Sequence, residues 1–168
     1  LLVHSGSLGK AYDLSPVFRI MEKSERIKLL LLTRNEKLAK STLPKKLHRQ
    51  TFIISTSFDE IPDYLSASDI GICIRTKAPS LIGLAPIKLG EYLLSGLKCW
   101  ISPQIGDVFQ ELKDQPCIYF ESEGSDEDCL DWIQDDSIRY RENARELGLL
   151  HYDLEKAVFA YQKVFQSL

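Results

Sequence analysis

Apolar runs of four to six residues alternate with amphipathic stretches along the whole chain. The runs Leu1–His4, Ile27–Leu32, Thr51–Ser55, Ile70–Ile74, Lys98–Ser102 and Cys117–Phe120 are short and apolar on both faces, so they predict buried strands. Between them, Leu14–Lys23, Asn35–Ser41, Ile61–Ser66, Pro86–Ser95 and Asp107–Lys113 predict helices. From Asp126 to Leu168 the spacing is helical, as two or three helices. There Trp132, Ile133, Leu147, Leu150, Leu154, Val158, Tyr161 and Phe165 recur at threes and fours. Strands separated by single helices imply a parallel sheet covered on both sides. The expected fold is α/β: a doubly wound, Rossmann-like sheet of about six strands with a helical C-terminal tail. Ligands in such sheets bind beyond the carboxyl ends of the strands, where the strand order reverses. That directs attention to the loops Ser5–Asp13, Ser55–Glu60 and Arg75–Ala85.

Composition adds limits. The 168 residues, 44% hydrophobic and 27% charged, fit one domain spanning 1–168. No apolar run approaches the roughly 20 residues of a membrane span. The chain opens on Leu1-Leu2-Val3 without Met or a leader, which reads as a domain boundary within a longer protein. The net charge of −3 is unevenly spread: residues 1–50 carry eleven Lys and Arg against four Asp and Glu, and the remainder ten against twenty. A basic half can attract phosphates or an anionic membrane surface, or form solvated helix faces. It lacks interleaved aromatics, so no nucleic-acid partner is expected. Cys73, Cys99, Cys117 and Cys129 have neither metal nor redox spacing; three sit in apolar strand-like runs and read as reduced core thiols, which fits a cytoplasmic protein. His4, His48 and His151 are scattered, so no metal site is expected.

The stretch "GLAPIKLGEYLLSG", residues 83 to 96, carries the sharpest candidate chemistry. Pro86 suits the first helical position, and the N–H groups beside it concentrate about half a positive charge. Gly83, Leu84 and Ala85 leave the backbone approachable, and Lys88 lies in the first turn, so the helix start can receive a phosphate. The alternative is a ligand-free start with Lys88 paired to Glu91 at i,i+3. Glu91 offers two acceptor oxygens to a vicinal diol such as ribose. Ile87, Leu94 and the gap at Gly90 suit packing on the sheet, and Gly96 closes the helix.

"SGSLGKAYDLS" follows the first strand with two closely spaced glycines and Lys10. It is neither GxGxxG nor a P-loop, and it can equally be a turn without a ligand. Asp59 can cap the helix containing Ile61. Asp69 begins a strand and does not end one, which disfavours a receiver-type phospho-acceptor.

"FDEIPDYLSASDIGICI", "APIKLGEYLLSGLKCWIS" and "IGD", in that order, resemble the C-terminal domain of family-4 glycosyltransferases of GT-B architecture. "VHSGSLGKAYDL" is similar to that family's first strand and loop, and "YRENARELGLLHYDLEKAVFAYQKVF" to its terminal helices, so the resemblance spans nearly the whole chain. It implies a domain binding a nucleotide-diphosphate sugar for retaining, metal-independent hexosyl transfer, in polysaccharide or glycoconjugate biosynthesis. It also implies an N-terminal acceptor-binding domain as partner, a cytoplasmic location with peripheral contact at the inner membrane face, and no activity from this half alone. By this resemblance Glu91 matches the ribose-binding second glutamate of an E-x7-E pattern, whose first glutamate falls at Gly83. Leu84 and Ala85 match backbone positions facing the diphosphate or sugar, and Ser55, Thr56 and Phe58 fall where the family holds the base. The family's Arg/Lys pair after the first strand is missing: the arginine position falls near Ser7, with only Lys10 close. Lys10, Lys88 or the Arg75–Lys77 loop is left to supply the charge, and no catalytic residue is assigned. The alternatives are a non-catalytic nucleotide-binding or interaction module, and a GT-B-type nucleotide-sugar epimerase.

Overall fold

A computed structural model describes residues 1–121, 124–135 and 138–166. The predicted terminal helices therefore include four positions (136, 137, 167 and 168) outside the described residues. The apolar runs form six strands: β1 (Leu2–Ser5), β2 (Leu29–Leu32), β3 (Thr51–Ile54), β4 (Ile70–Cys73), β5 (Lys98–Ile101) and β6 (Ile118–Phe120). All pair in parallel, in the order β3-β2-β1-β4-β5-β6. The strand order thus reverses between β1 and β4. Every residue of β1, β2, β4 and β5 is buried, which explains why these runs read as apolar on both faces.

Alternate residues feed two cores. Val3, Leu30, Cys73, Cys99 and Ile101 face one core; Leu2, Leu29, Leu31, Ile72 and Trp100 face the other. The first is covered by α3 (Ile61–Ser66), α4 (Ile87–Leu94), α5 (Val108–Leu112) and α7 (Ile138–His151). The second is covered by α1 (Ser15–Lys23), α2 (Glu36–Thr42) and α6 (Asp126–Gln134). All four cysteines are buried free thiols, and burial pushes Cys117 and Cys129 up to about 12. The last helix, α8 (Leu154–Gln166), leaves Leu154, Val158, Phe159, Tyr161 and Phe165 exposed.

Three local expectations are corrected. Asp59 does not cap α3: a 3-10 turn at Phe58–Glu60 precedes that helix, and Ser57 and Glu60 close it reciprocally. Ser57 donates its backbone N–H (3.1 Å) and Oγ–H (2.9 Å) to the Glu60 carboxylate, a capping box one turn earlier than expected. Nor does α4 use Ile87, Gly90 and Leu94 against the sheet. Its sheet face is Leu89, Tyr92 and Leu93, while Ile87 is exposed. Gly90 instead receives the ring of Tyr152, where a Cβ would stand 2.7 Å from Cδ1. The physical reason is that α4 lies between sheet and α7, so two of its faces are covered. Pro86 is the N-cap and not the first helical residue, and no side chain caps that start. At the other end Gly96 has φ +74, as expected, and Leu97 N–H donates to the Tyr92 carbonyl at 3.0 Å.

Lys98 is a charged residue inside a strand, and it is almost fully buried. Its ammonium donates to the carbonyls of Trp132 and Asp135 at the end of α6, where a helix favours a cation. Lys98→Met is expected to lower stability by about 2 kcal/mol, since charge-assisted bonds are lost and the carbonyls lose their donor. Urea denaturation measures this.

Candidate functional site

The carboxyl ends of β1, β2 and β3 open into a cleft of about 360 Å³, lined by Gly6, Ser7, Thr33, Asn35, Thr56 and Phe58 among others. Arg34 reaches the same wall. A second cavity of about 200 Å³ lies at the start of α4, between Tyr12, Arg75, Leu84, Ala85, Ile87 and Lys88. A third, of about 220 Å³, brings Glu91 together with Phe58, Ile61, Leu65 and Leu94. Phe58 and Ile61 belong to both the first and the third, so the base-sized cleft and Glu91 share a wall.

The sequence-derived candidates separate on this map. Ser7, Thr56 and Phe58 line the first cleft, Leu84, Ala85 and Lys88 the second, and Glu91 the third. Lys10, Ser55 and Gly83 line none of the three. Lys10 is exposed, and its carbonyl accepts from Thr76 Oγ1 at 2.8 Å, a tie between loops. Gly83 is exposed with nothing within 4 Å of where a Cβ would stand.

Lys88 turns away from Glu91. A Cβ at Gly6 would stand 2.3 Å from Lys88 Nζ, so the ammonium sits directly against the glycine loop. Gly6 has φ +113, a conformation that a side chain would strain, and its N–H donates to Leu32 at 2.7 Å. The second cation is Arg75. Its guanidinium carbon lies 4.3 Å from the centroid of the Tyr12 ring, and Lys88 Nζ lies 5.7 Å from the same centroid. Among the described residues, neither cation has a carboxylate within ion-pair distance, and the buried Arg75 Nε has no hydrogen-bond partner. Two cations held together without counter-charge, beside an uncapped helix start, make a field that favours an anion.

The scaffold fixes these groups through backbone. Arg75 N–H donates to the buried Ser102 Oγ at 2.8 Å, and Tyr12 bridges Arg75 in an antiparallel pair. The "IGD" loop supports the approach to α4. Ile105 is buried, Gly106 has φ +49 and donates to the Leu81 carbonyl at 2.8 Å, and a Cβ there would meet the Leu84 carbonyl at 2.8 Å. His4, fully buried, lies between the carbonyls of Ile72 (3.2 Å) and Ser7 (3.1 Å) and edge-on to Tyr12. Burial is the main cause that holds its imidazole below the ordinary value; the two carbonyls oppose that shift, and Lys88 and Arg75 add to it.

Tyr12, Arg34 and Asn35 were not legible as site residues. Tyr12 carried one usable signal, an aromatic inside a glycine-bearing loop; Arg34 and Asn35 stand on a helix start that reads as ordinary capping. Asn35 indeed caps α2, accepting from Leu38 N–H at 3.0 Å.

The architecture is that of one half of a GT-B glycosyltransferase, the C-terminal one. No family model and no curated protein sequence matches the chain. Among solved structures, WaaG, a glycosyltransferase involved in lipopolysaccharide biosynthesis, aligns with 93% of this chain and 45% of its own at TM-score 0.67 and 18% identity. HepE of Anabaena in complex with UDP-glucose aligns with 99% of this chain and 48% of its own at TM-score 0.74 and 14% identity. The C-terminal domain of LpcC, a glycosyl transferase group 1 family protein of Francisella tularensis, aligns with 91% of this chain and 86% of its own at TM-score 0.69 and 17% identity. The chain therefore spans about half the length of WaaG and HepE, and most of LpcC's isolated domain.

Proposed function

We propose that this chain is the donor-binding half of a family-4-like glycosyltransferase and binds a nucleotide-diphosphate sugar. The observation that carries the reading is the Arg75–Lys88 pair: two cations without counter-charge among the described residues, beside the start of α4, where the strand order reverses. The diphosphate sits against Arg75, Lys88 and the backbone of Leu84 and Ala85. Glu91 accepts from the ribose hydroxyls, and the base enters the cleft of Ser7, Thr56 and Phe58, with Arg34 and Asn35 on its rim. These groups need supply no nucleophile. They stabilise negative charge as it grows on the departing diphosphate, which fixed cations and a helix start do without reorganising. The reading extends to retaining, metal-independent transfer in polysaccharide or glycoconjugate synthesis, on the cytoplasmic side and near the membrane surface. The part of WaaG in lipopolysaccharide biosynthesis and the complex of HepE with UDP-glucose support it by fold likeness only.

The acceptor belongs to a second domain, and the exposed apolar residues of α8 give such a domain a surface to pack on. Until that domain closes over the site, this half binds donor and transfers nothing. A non-catalytic nucleotide-binding module is the second reading, favoured by the exposed Gly83 where an acidic residue would otherwise meet the sugar.

Calorimetric titration with UDP, GDP and their sugars tests the reading. A nucleotide diphosphate should bind, and Glu91→Ala should weaken it about tenfold, the loss of hydrogen bonds to one charged group. No binding at millimolar nucleotide overturns the donor site, and undiminished binding by Glu91→Ala overturns the ribose assignment.

A further inference from the structure

We infer that Tyr92 is a positioning residue: its buried hydroxyl replaces a rung of the β1–β4 ladder, and so sets the opening between the glycine loop and α4. The amides of β1 alternate in direction. Leu2 and Gly6 donate to Lys28 and Leu32 on the β2 side, so the Ser5 amide faces β4. The next acceptor there would be Ile72, yet β1 and β4 pair only at Leu2↔Ile70 and Val3↔Gly71, whereas β1 and β2 pair at four positions. The Tyr92 oxygen stands in the gap. It accepts from Ser5 N–H at 3.0 Å, and lies 3.3 Å from Ser5 Oγ and 3.4 Å from the Ile72 carbonyl. His4 Nδ1 approaches that same carbonyl at 3.2 Å.

Room for the wedge is provided on the facing strand. A Cβ on Gly71 would stand 2.3 Å from Tyr92 Cγ and Cδ2, so only glycine lets the ring cross the seam. The ring is fully buried, and burial holds the phenol protonated, which keeps its O–H available to an acceptor. One side chain of α4 therefore grips the last residue of β1, immediately before Gly6. The helix that holds Lys88 and Glu91 is tied to the loop against which Lys88 rests. On the donor-site reading above, Tyr92 fixes the distance across the diphosphate site without touching the ligand.

The test compares Tyr92→Phe with Leu112→Val, a buried substitution on α5 that removes no hydroxyl. Amide hydrogen exchange by NMR, without ligand, should show Ser5 and Gly6 exchanging about tenfold faster in Tyr92→Phe, with Leu30 and Leu31 unchanged. UDP affinity should fall about tenfold in the same variant, while Leu112→Val loses thermal stability with neither effect. If Tyr92→Phe retains Ser5 protection, or retains UDP affinity despite a lower melting temperature, the positioning role is overturned. If the unsubstituted chain binds no UDP, the donor-site reading fails by itself. The exchange comparison then still decides whether the hydroxyl holds the seam.

Discussion

Arg75→Met and Lys88→Met together are expected to remove measurable UDP binding, and each alone to weaken it by roughly ten- to a hundredfold. A charge-assisted hydrogen bond contributes about 1.5–3 kcal/mol, and a diphosphate held here would engage both cations. The same variants should fold as well as the unsubstituted chain or better. Two like charges near one aromatic ring, with no carboxylate in ion-pair range among the described residues, repel each other until a ligand arrives. Loss of binding with stability retained is the signature of a ligand site. A fall in melting temperature with binding intact would instead make the cluster structural. Arg75→Lys should not restore the function, because the planar guanidinium lies over Tyr12 and carries the orphaned Nε. Calorimetry paired with thermal melts reads both quantities, and rising salt should weaken the binding.

Gly71→Ala is expected to cost about 3 kcal/mol or more, although it adds one methyl group to a strand, where alanine normally improves on glycine. The methyl would stand 2.3 Å from Tyr92 Cγ and Cδ2 and 2.8 Å from its Cβ. These are the stem of a fully buried side chain and not a flexible tip, so the helix itself must move, at the upper end of overpacking costs. Tyr92→Leu in the Gly71→Ala background should recover part of the loss, a non-additive pair that reports direct contact. Tyr92→Phe in that background should not, because the ring and not the hydroxyl makes the clash. Urea denaturation of the unsubstituted chain, the three single variants and the two doubles settles both cycles.

Sequence pattern sufficed where the cause is local or periodic. Buried parallel strands need apolar residues on both faces, and the runs at 29–32, 70–73 and 98–101 carry them, so the strands and their alternation with helices were readable. Gly96 was readable for the same reason, since a helix end often takes a left-handed residue next to its last turn. Even local rules misplace an element when two compete. Asp59 was the expected cap, and Ser57 takes that place instead because Glu60 sits at the spacing that returns the bond. Periodicity also showed α8 as a helix without showing what its apolar side meets.

The sequence by itself determined an alternating α/β chain with an uncapped helix start near Pro86 and an acid one turn beyond Lys88. Tertiary structure alone decided whether Lys10 or Arg75 joins Lys88 at that start, since both lie in loops whose distance from it no local rule fixes. Arg75 arrives from the end of β4, pinned by Ser102 of the neighbouring loop and stacked on Tyr12 from the loop after β1, while Lys10 is turned outward. Charge is a property of a residue, but the potential at a site sums charges by distance. Those distances exist only once β1 and β4 lie side by side.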